Sequence, residues 1–133
     1  MMILLDTHAL YWLATADKKL GRASRARIDH ALAADKLAVS AISFWELALL
    51  AQKKRIEAGD IEEMRRIAID SGIVECPLDG PTAILSAKLD SDHKDPADRF
   101  IAATALRHRA TLVTADERLL AGLPGLTFQD ARK

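Results

Sequence analysis

Short apolar runs alternate along the chain with longer segments of mixed polarity. The runs are apolar or nearly so over three to four residues, which is typical of strands that are buried on both faces of a sheet. Each run is followed by a segment long enough to form a helix that crosses back over the sheet. The predicted strands are Ile3–Leu5, Leu37–Val39, Ile73–Cys76, Thr111–Thr114 and, as a fifth, Leu126–Phe128.

The segments between the runs have end residues typical of helices. Asp60, with Glu63 three residues later, marks the start of one helix, and Gly72 marks its end. Strands that alternate with helices predict an α/β fold with a parallel sheet of four to five strands covered on both faces. Helices are predicted over about 8–15, 22–34, 43–55, 60–72, 81–89 and 95–109, with a polar stretch at 90–94.

Composition limits the class of protein. The chain has 133 residues, half of them hydrophobic and 29% charged, which predicts one globular domain over residues 1–133. Its 19 basic and 19 acidic residues cancel, which argues against a protein that coats nucleic acid by charge alone. The single cysteine cannot form an internal disulfide, and no apolar run has the length of a membrane span. Because no targeting signal is visible, we expect a cytoplasmic protein.

The zero net charge is an average over three unlike regions. Residues 1–58 carry nine basic and six acidic residues, residues 59–98 carry four and ten, and residues 99–133 carry six and three. An acidic middle of −6 therefore lies between two ends of +3. Random surface patterning accounts for such a distribution as well as function does, so the positions of individual acids are more informative.

Four acidic residues stand near predicted strand ends and helix starts, and they are Asp6, Glu46, Asp98 and Asp116. Each of these acids could also have a purely structural role at the start of a helix. Asp6 and Asp116 are placed as N-caps, Ser43 with Glu46 fits a capping box, and Asp98 faces the dipole of a helix that Asp95 caps. Glu46 fits this alternative least well, because its neighbours form one of the most apolar segments of the chain.

The four acids taken together predict a metal site. In an open α/β sheet the functional residues lie beyond the carboxyl ends of the strands, so these carboxylates are expected to converge on one crevice. Like charges at short range repel unless a cation neutralises them. Carboxylate oxygens without histidine or cysteine ligands favour Mg²⁺ or Mn²⁺ over Zn²⁺. Such a site suits phosphodiester hydrolysis.

Four short motifs occur in order along the chain: Asp6-Thr7-His8, Ser43-x-Trp45-Glu46, the segment DPADRFIAA at 95–103, and Thr114-Ala115-Asp116. Each motif alone is weak, but the ordered set resembles the PIN-domain ribonucleases, and most closely the VapC-like toxins of toxin–antitoxin pairs. The resemblance extends from about residue 3 to residue 128.

The resemblance implies a three-layer α/β/α sandwich and an endoribonuclease that depends on Mg²⁺ or Mn²⁺. By matching position, Asp6, Glu46, Asp98 and Asp116 form the acidic quartet of the family. Asp6 and Asp98 are then the expected direct metal ligands. Glu46 and Asp116 are expected to complete the site through water or to orient the nucleophile.

Further residues take supporting roles by the same resemblance. Thr7 and Thr114 match small hydroxyl positions beside the acids and are expected to hold waters around the metal. Asp95 is interpreted as the helix cap and remains a candidate outer member of the site. Arg99 is expected to bind the substrate, because Asp98 places it at the crevice.

Substrate and partners follow from the family as well. The low aromatic content, 5%, argues against base stacking along an extended strand. A folded RNA is therefore expected, and the family suggests tRNA or rRNA. The resemblance also implies a cognate antitoxin, with a segment that docks near the 43–55 helix, and a homodimer. Trp12 and Trp45 are predicted to belong to the core, and His8 is expected on a helix surface or at the site.

Three other classes fit part of the pattern. A receiver-like signalling domain needs paired acids after the first strand, where Asp6 stands alone, and a lysine after a late strand. A haloacid-dehalogenase-like phosphatase needs an Asp-x-Asp motif, but His8 occupies the third place. A non-catalytic binding module on the same fold remains, although such copies usually lose one of the four acids.

Overall fold

The computed structural model describes residues 1–89 and 94–133, so most of the predicted polar stretch at 90–94 lies outside the described residues. Five strands alternate with seven helices in these residues. The strands are β1 Ile3–Leu5, β2 Leu37–Ser40, β3 Val74–Cys76, β4 Thr111–Thr114 and β5 Thr127–Asp130. The helices are α1 Thr7–Ala14, α2 Arg22–Ala33, α3 Ala41–Gln52, α4 Ile61–Asp70, α5 Gly80–Lys88, α6 Pro96–His108 and α7 Glu117–Leu120.

The strands form a single parallel sheet in the order β3-β2-β1-β4-β5. The prediction of a parallel sheet with four to five strands is confirmed. Strand β1 lies at the centre, with Leu4 opposite Ala38 of β2 on one side and Leu112 of β4 on the other. The chain moves outwards from β1 through β2 to β3 and then returns to the other side of β1. The order therefore reverses beside β1, which is where ligands bind in sheets of this kind.

Two separate hydrophobic clusters cover the two faces of the sheet. Ile3 and Leu5 point to one face, where α1, α2 and α4 pack, while Leu4 points to the other face, where α6 packs. Helix α5 lies against α6 rather than against the sheet. These two clusters make the three-layer α/β/α sandwich that the family resemblance implies, and the fold class is confirmed.

Helix α6 packs closely on the sheet because its buried face is made of small residues. Ala102 and Ala105 are fully buried in the cluster on that face, together with Ile101. Within the described part of the chain, no helix combines the length and the apolar character needed to span a bilayer.

The predicted elements differ from the observed ones mainly at their ends. Helix α3 begins at Ala41 and ends at Gln52, earlier at both ends than the predicted 43–55. Helix α7 was not predicted, because four residues are too few to show a helical period. The predicted cap Asp60 is confirmed, and Asp79 caps α5 in the same way, since each side chain accepts a hydrogen bond from a main-chain N–H of the first turn.

Candidate metal centre at the carboxyl edge of the sheet

A cleft of about 310 Å³ opens at the carboxyl edge of the sheet. All four acids of the predicted quartet line it, and Asp95 is a fifth. The described residues that line it are Asp6, Thr7, His8, Trp12, Glu46, Asp95, Asp98, Ala115 and Asp116. The convergence expected from the strand ends is therefore present in the structure.

The strand order explains why acids that are distant in sequence meet here. Asp6 follows the central strand β1, and Asp116 follows the adjacent strand β4, so the two lie on either side of the point where the order reverses. Both also cap the helix that comes next. Asp6 accepts from the Ala9 N–H at 2.8 Å, and Asp116 accepts from the Arg118 N–H at 2.8 Å. Their predicted capping roles are confirmed, and capping does not keep them from lining the cleft.

Asp6 is a buried carboxylate with both oxygens engaged. Its Oδ1 accepts from the Ala9 N–H, and its Oδ2 accepts from the Thr114 hydroxyl at 2.5 Å. Burial raises the pKa of Asp6 to about 6, even though these two hydrogen bonds and the nearby His8 act in the opposite direction. The carboxylate is thus held in one orientation and is costly to ionise without a positive neighbour.

The two threonines predicted beside the acids are both buried and hydrogen-bonded. Thr114 donates to Asp6 and accepts from the Asp116 N–H at 3.0 Å, so one hydroxyl links two members of the quartet. Thr7 lines the cleft, and its hydroxyl donates to the Ser43 hydroxyl at 3.2 Å, which ties α1 to α3. Both residues therefore orient the elements that carry the acids; the waters expected around them remain a prediction.

Glu46 reaches the cleft from the interior of α3. The predicted capping box of Ser43 with Glu46 is wrong, because strand β2 continues to Ser40, and Ser40 caps the helix by accepting from the Ile42 N–H at 3.2 Å. Ser43 is buried inside the helix instead, and Glu46 lies beyond the first turn. Neither capping nor the helix dipole accounts for Glu46. The purely structural explanation of this acid, as part of a helix cap, therefore does not hold.

Asp95 and Asp98 extend into the cleft from the start of α6. Asp95 caps the helix by accepting from the Ala97 N–H at 2.9 Å, as predicted. One carboxylate oxygen from each of Glu46, Asp95 and Asp98 lies within 4.8 Å of the others, and these three form the group of potential metal ligands found among the described residues. Asp95 is therefore a member of this group, although the sequence predicted it only as a helix cap and a candidate outer member of the site.

Asp98 has the most strongly perturbed pKa among the cleft residues. Burial raises the pKa of this carboxyl to about 8, and repulsion from Asp95, Glu46, Asp116 and Asp6 adds to the effect. A half-buried acid that resists ionisation among four others is the electrostatic pattern expected of a cation site.

Arg99 is placed differently from its predicted role as a substrate contact. Its side chain does not appear among the described residues that line the cleft. The guanidinium donates instead to main-chain carbonyls of Ser86, at 3.1 Å, and Leu89, at 2.9 Å. These carbonyls are at the end of α5, so Arg99 joins that end to the start of α6.

Of the two tryptophans predicted to belong to the core, one packs there and also lines the cleft, and the other is exposed. Trp12 is half-buried and lines the cleft as well as the core, with the exposed His8 ring edge-on to it at 6.4 Å between centroids. The prediction that Trp45 belongs to the core is wrong, because its side chain is 52% exposed. Helix α3 turns Phe44 and Leu47 inwards, which leaves Trp45 on the opposite side.

A parallel sheet with five carboxylates gathered over its carboxyl edge defines an α/β protein with a candidate centre for a divalent cation. The PIN domain family matches residues 3–122, and the chain belongs to this family.

Similar proteins support this assignment. The chain is 36% identical to Ribonuclease VapC22 of Mycobacterium tuberculosis, with 88% of each chain covered. A toxin–antitoxin complex from Klebsiella pneumoniae is similar in structure, with a TM-score of 0.61 and 29% identity over 94% of this chain and 95% of that one. A DNA-bound VapBC from Salmonella typhimurium shares the fold, with a TM-score of 0.71, 19% identity and 98% of each chain covered.

Proposed function

We propose that this protein is an endoribonuclease that requires Mg²⁺ or Mn²⁺ and acts as the toxin of a toxin–antitoxin pair. The observation that carries the proposal is the cleft in which five carboxylates converge, three of them with oxygens within 4.8 Å of one another. The relative named Ribonuclease VapC22 supports the reaction class.

The donor set fits a hard cation. Glu46, Asp95 and Asp98 would hold it, and the close donors found among the described residues are carboxylate oxygens. The expectation that Asp6 is a direct ligand stays a prediction, as does the bridging role of Asp116. A divalent cation supplies Lewis-acid chemistry here, since it stabilises the charge that builds up on a phosphate and makes water more acidic.

Residues around the cleft fix the orientation of one carboxylate and the protonation state of another. Thr114 holds Asp6 in one orientation through its Oδ2. Because the pKa of Asp98 is about 8, its carboxyl holds a proton at neutral pH and must release it when a cation is bound. The cleft volume is at the small end of ligand sites. It suits one phosphodiester group rather than a run of stacked bases.

Metal dependence is the direct test. We expect wild-type protein to cleave tRNA or rRNA in the presence of Mn²⁺ or Mg²⁺, with activity reduced by roughly 100-fold or more in excess EDTA and restored by added Mn²⁺. Labelled RNA resolved on a denaturing gel measures the rate. Cleavage that persists in EDTA would contradict the proposal, and Mn²⁺ binding without cleavage would favour the non-catalytic module.

An apolar groove supports the antitoxin partner. It lies between α1 and α4, has a volume of about 490 Å³ and is lined by Leu10, Leu13, Met64 and Ile67 among others. This is a different surface from the predicted 43–55 helix, whose Phe44 is buried in the core. An amphipathic helix of the partner would cover the groove with its apolar side.

Charge placed in the groove should weaken the complex. We expect Ile67→Glu to lower the affinity for the product of an adjoining short reading frame by roughly 30-fold, because Ile67 is 53% exposed at the groove and would be buried by the partner. Calorimetric titration of the two purified proteins measures this. Ile84→Glu is the matched control, since Ile84 is 59% exposed on α5 and does not line the groove. Equal effects of both changes would count against the groove.

Three expectations remain predictions. They are the choice of tRNA or rRNA as substrate, the homodimer and the cytoplasmic location. Exposed apolar side chains outside the groove, among them Trp45, are compatible with a contact between two copies.

A further inference from the structure

Helix α6 carries two arginines that hold the antiparallel helix α5 at its two ends. Arg99, in the first turn of α6, donates to carbonyls at the end of α5. Arg107, about two turns later, donates to Asp79 Oδ1 at 3.0 Å and to the Thr82 hydroxyl at 3.2 Å, both at the start of α5. Both arginines join α6 to α5, Arg99 through main-chain carbonyls and Arg107 through a carboxylate and a hydroxyl, but only Arg99 is adjacent to the acids of the cleft.

The Arg99 side chain donates hydrogen bonds to the main-chain carbonyls at the end of α5. The last carbonyls of a helix have no partner within the helix, and many helices satisfy them with a main-chain cap. Here the C-cap Leu89 is extended, with φ −62° and ψ 128°. The Arg99 guanidinium donates to Ser86 O, to Leu89 O and, at 3.4 Å, to Ala87 O. A cation at a helix C-terminus is also favoured by the dipole.

We infer that Arg99 is a positioning residue for the metal centre rather than a substrate contact. By fixing the start of α6 to the end of α5, it sets where Asp95 and Asp98 lie relative to Glu46 on α3. Those three carboxylates are the group within 4.8 Å, and two of them belong to the first turn that Arg99 anchors. This inference rests on the proposed metal-dependent function of the cleft.

A lysine substitution separates the two roles of Arg99. Lysine keeps the positive charge, so a contact made with RNA phosphate through charge would largely survive. It lacks the planar fork, and one ammonium cannot satisfy three carbonyls in the same geometry. Arg99→Lys should therefore damage a positioning role and spare a charge-based substrate contact. Arg107→Lys is the matched control, because it makes the same substitution at the end of the helix pair that is remote from the acids.

The experiment has three readouts on wild type and both variants, all far below the melting temperature. Calorimetry gives the Mn²⁺ affinity without RNA, fluorescence anisotropy in EDTA gives the RNA affinity and its salt dependence, and kinetics separates kcat from KM. For Arg99→Lys we expect Mn²⁺ affinity to fall by roughly 10–100-fold, with a lower kcat at saturating RNA. We expect RNA affinity and its salt dependence to stay at wild-type values. Arg107→Lys should leave Mn²⁺ affinity and kcat unchanged.

Several outcomes would overturn the inference. Wild-type Mn²⁺ affinity and wild-type kcat in Arg99→Lys would show that the positive charge alone is sufficient, which is the result expected of a substrate contact. An equal loss of Mn²⁺ affinity in Arg107→Lys would reduce the effect to general packing of α5 on α6. If wild type binds Mn²⁺ but cleaves no RNA, the proposed reaction fails, and the Mn²⁺ readout still decides the role of Arg99. A wild-type protein that does not bind Mn²⁺ overturns both.

Discussion

Glu46→Gln is expected to reduce RNA cleavage by roughly 100-fold or more while the fold remains intact. The change keeps the size and hydrogen-bonding shape of the side chain and removes its charge. Loss of a group that only orients a metal ligand typically costs 10–100-fold, and Glu46 is among the carboxylates closest to the candidate metal position. It caps no helix, so folding should not suffer. Single-turnover cleavage with saturating Mn²⁺, together with thermal melting, measures both effects.

Two further variants show whether a loss of RNA cleavage comes from the metal site or from a change in the fold or charge of the protein. Glu62→Gln is the control, because Glu62 is an exposed acid on α4 outside the cleft, and its activity should equal that of wild type. Asp95→Asn keeps the helix cap, since asparagine caps about as well as aspartate. A large loss in Asp95→Asn would therefore make Asp95 a metal ligand and not merely a cap. Wild-type cleavage by folded Glu46→Gln would contradict the site.

Much of the site could be predicted because its residues follow strands. A run of apolar residues, then an acid, then a helix is a local pattern, and parallel strands bring such acids to one edge of the sheet. Asp6 and Asp116 are of this kind. Asp98 was found through its helix start, and Glu46 through its position in an apolar segment. The same residues carried the resemblance to the family, which supplied the expected roles.

What the sequence did not reveal depends on orientation and on contacts between distant segments. The cap of α3 is Ser40 rather than Ser43, because β2 continues directly into the helix, and both serines are followed by plausible helix residues. Trp45 is exposed because α3 is rotated about its axis so that Phe44 and Leu47 face the core. The preference of tryptophan for buried positions does not determine this rotation. The described partners of Arg99 are main-chain carbonyls, which every residue carries, so the sequence does not show which of them the arginine contacts.

The structural and electrostatic roles of the acids oppose each other. Capping stabilises the helices that Asp6, Asp95 and Asp116 begin, and each cap is typically worth about 1 kcal/mol. Crowding the same carboxylates with Glu46 and Asp98 destabilises the fold whenever all are ionised. The cleft is thus a place where stability is given up for function, and a bound cation would recover it.

This opposition predicts an unusual dependence of stability on pH in the metal-free protein. The ordinary pKa of Asp98 is 3.8, and in the folded protein it is about 8. Between these values the folded state binds more protons than the unfolded state, so this group's contribution to stability is present at low pH and is lost as pH rises towards 8. Asp6, with a folded pKa of about 6, acts in the same direction over a narrower range.

Asp98→Asn should therefore stabilise the metal-free protein, and by more as the pH rises. After allowance for solvent at this half-buried group, we expect the variant to gain roughly 1–2 kcal/mol in unfolding free energy over wild type between pH 5.5 and pH 8. Urea unfolding in EDTA at both pH values measures the difference, and subtraction of wild type cancels the other titrating groups. Adding Mn²⁺ at pH 8 should reverse the order, because the cation favours the ionised aspartate and the asparagine binds it poorly. A difference that does not change with pH would mean that Asp98 ionises normally, and the crowded cleft would then give no electrostatic support to a cation site.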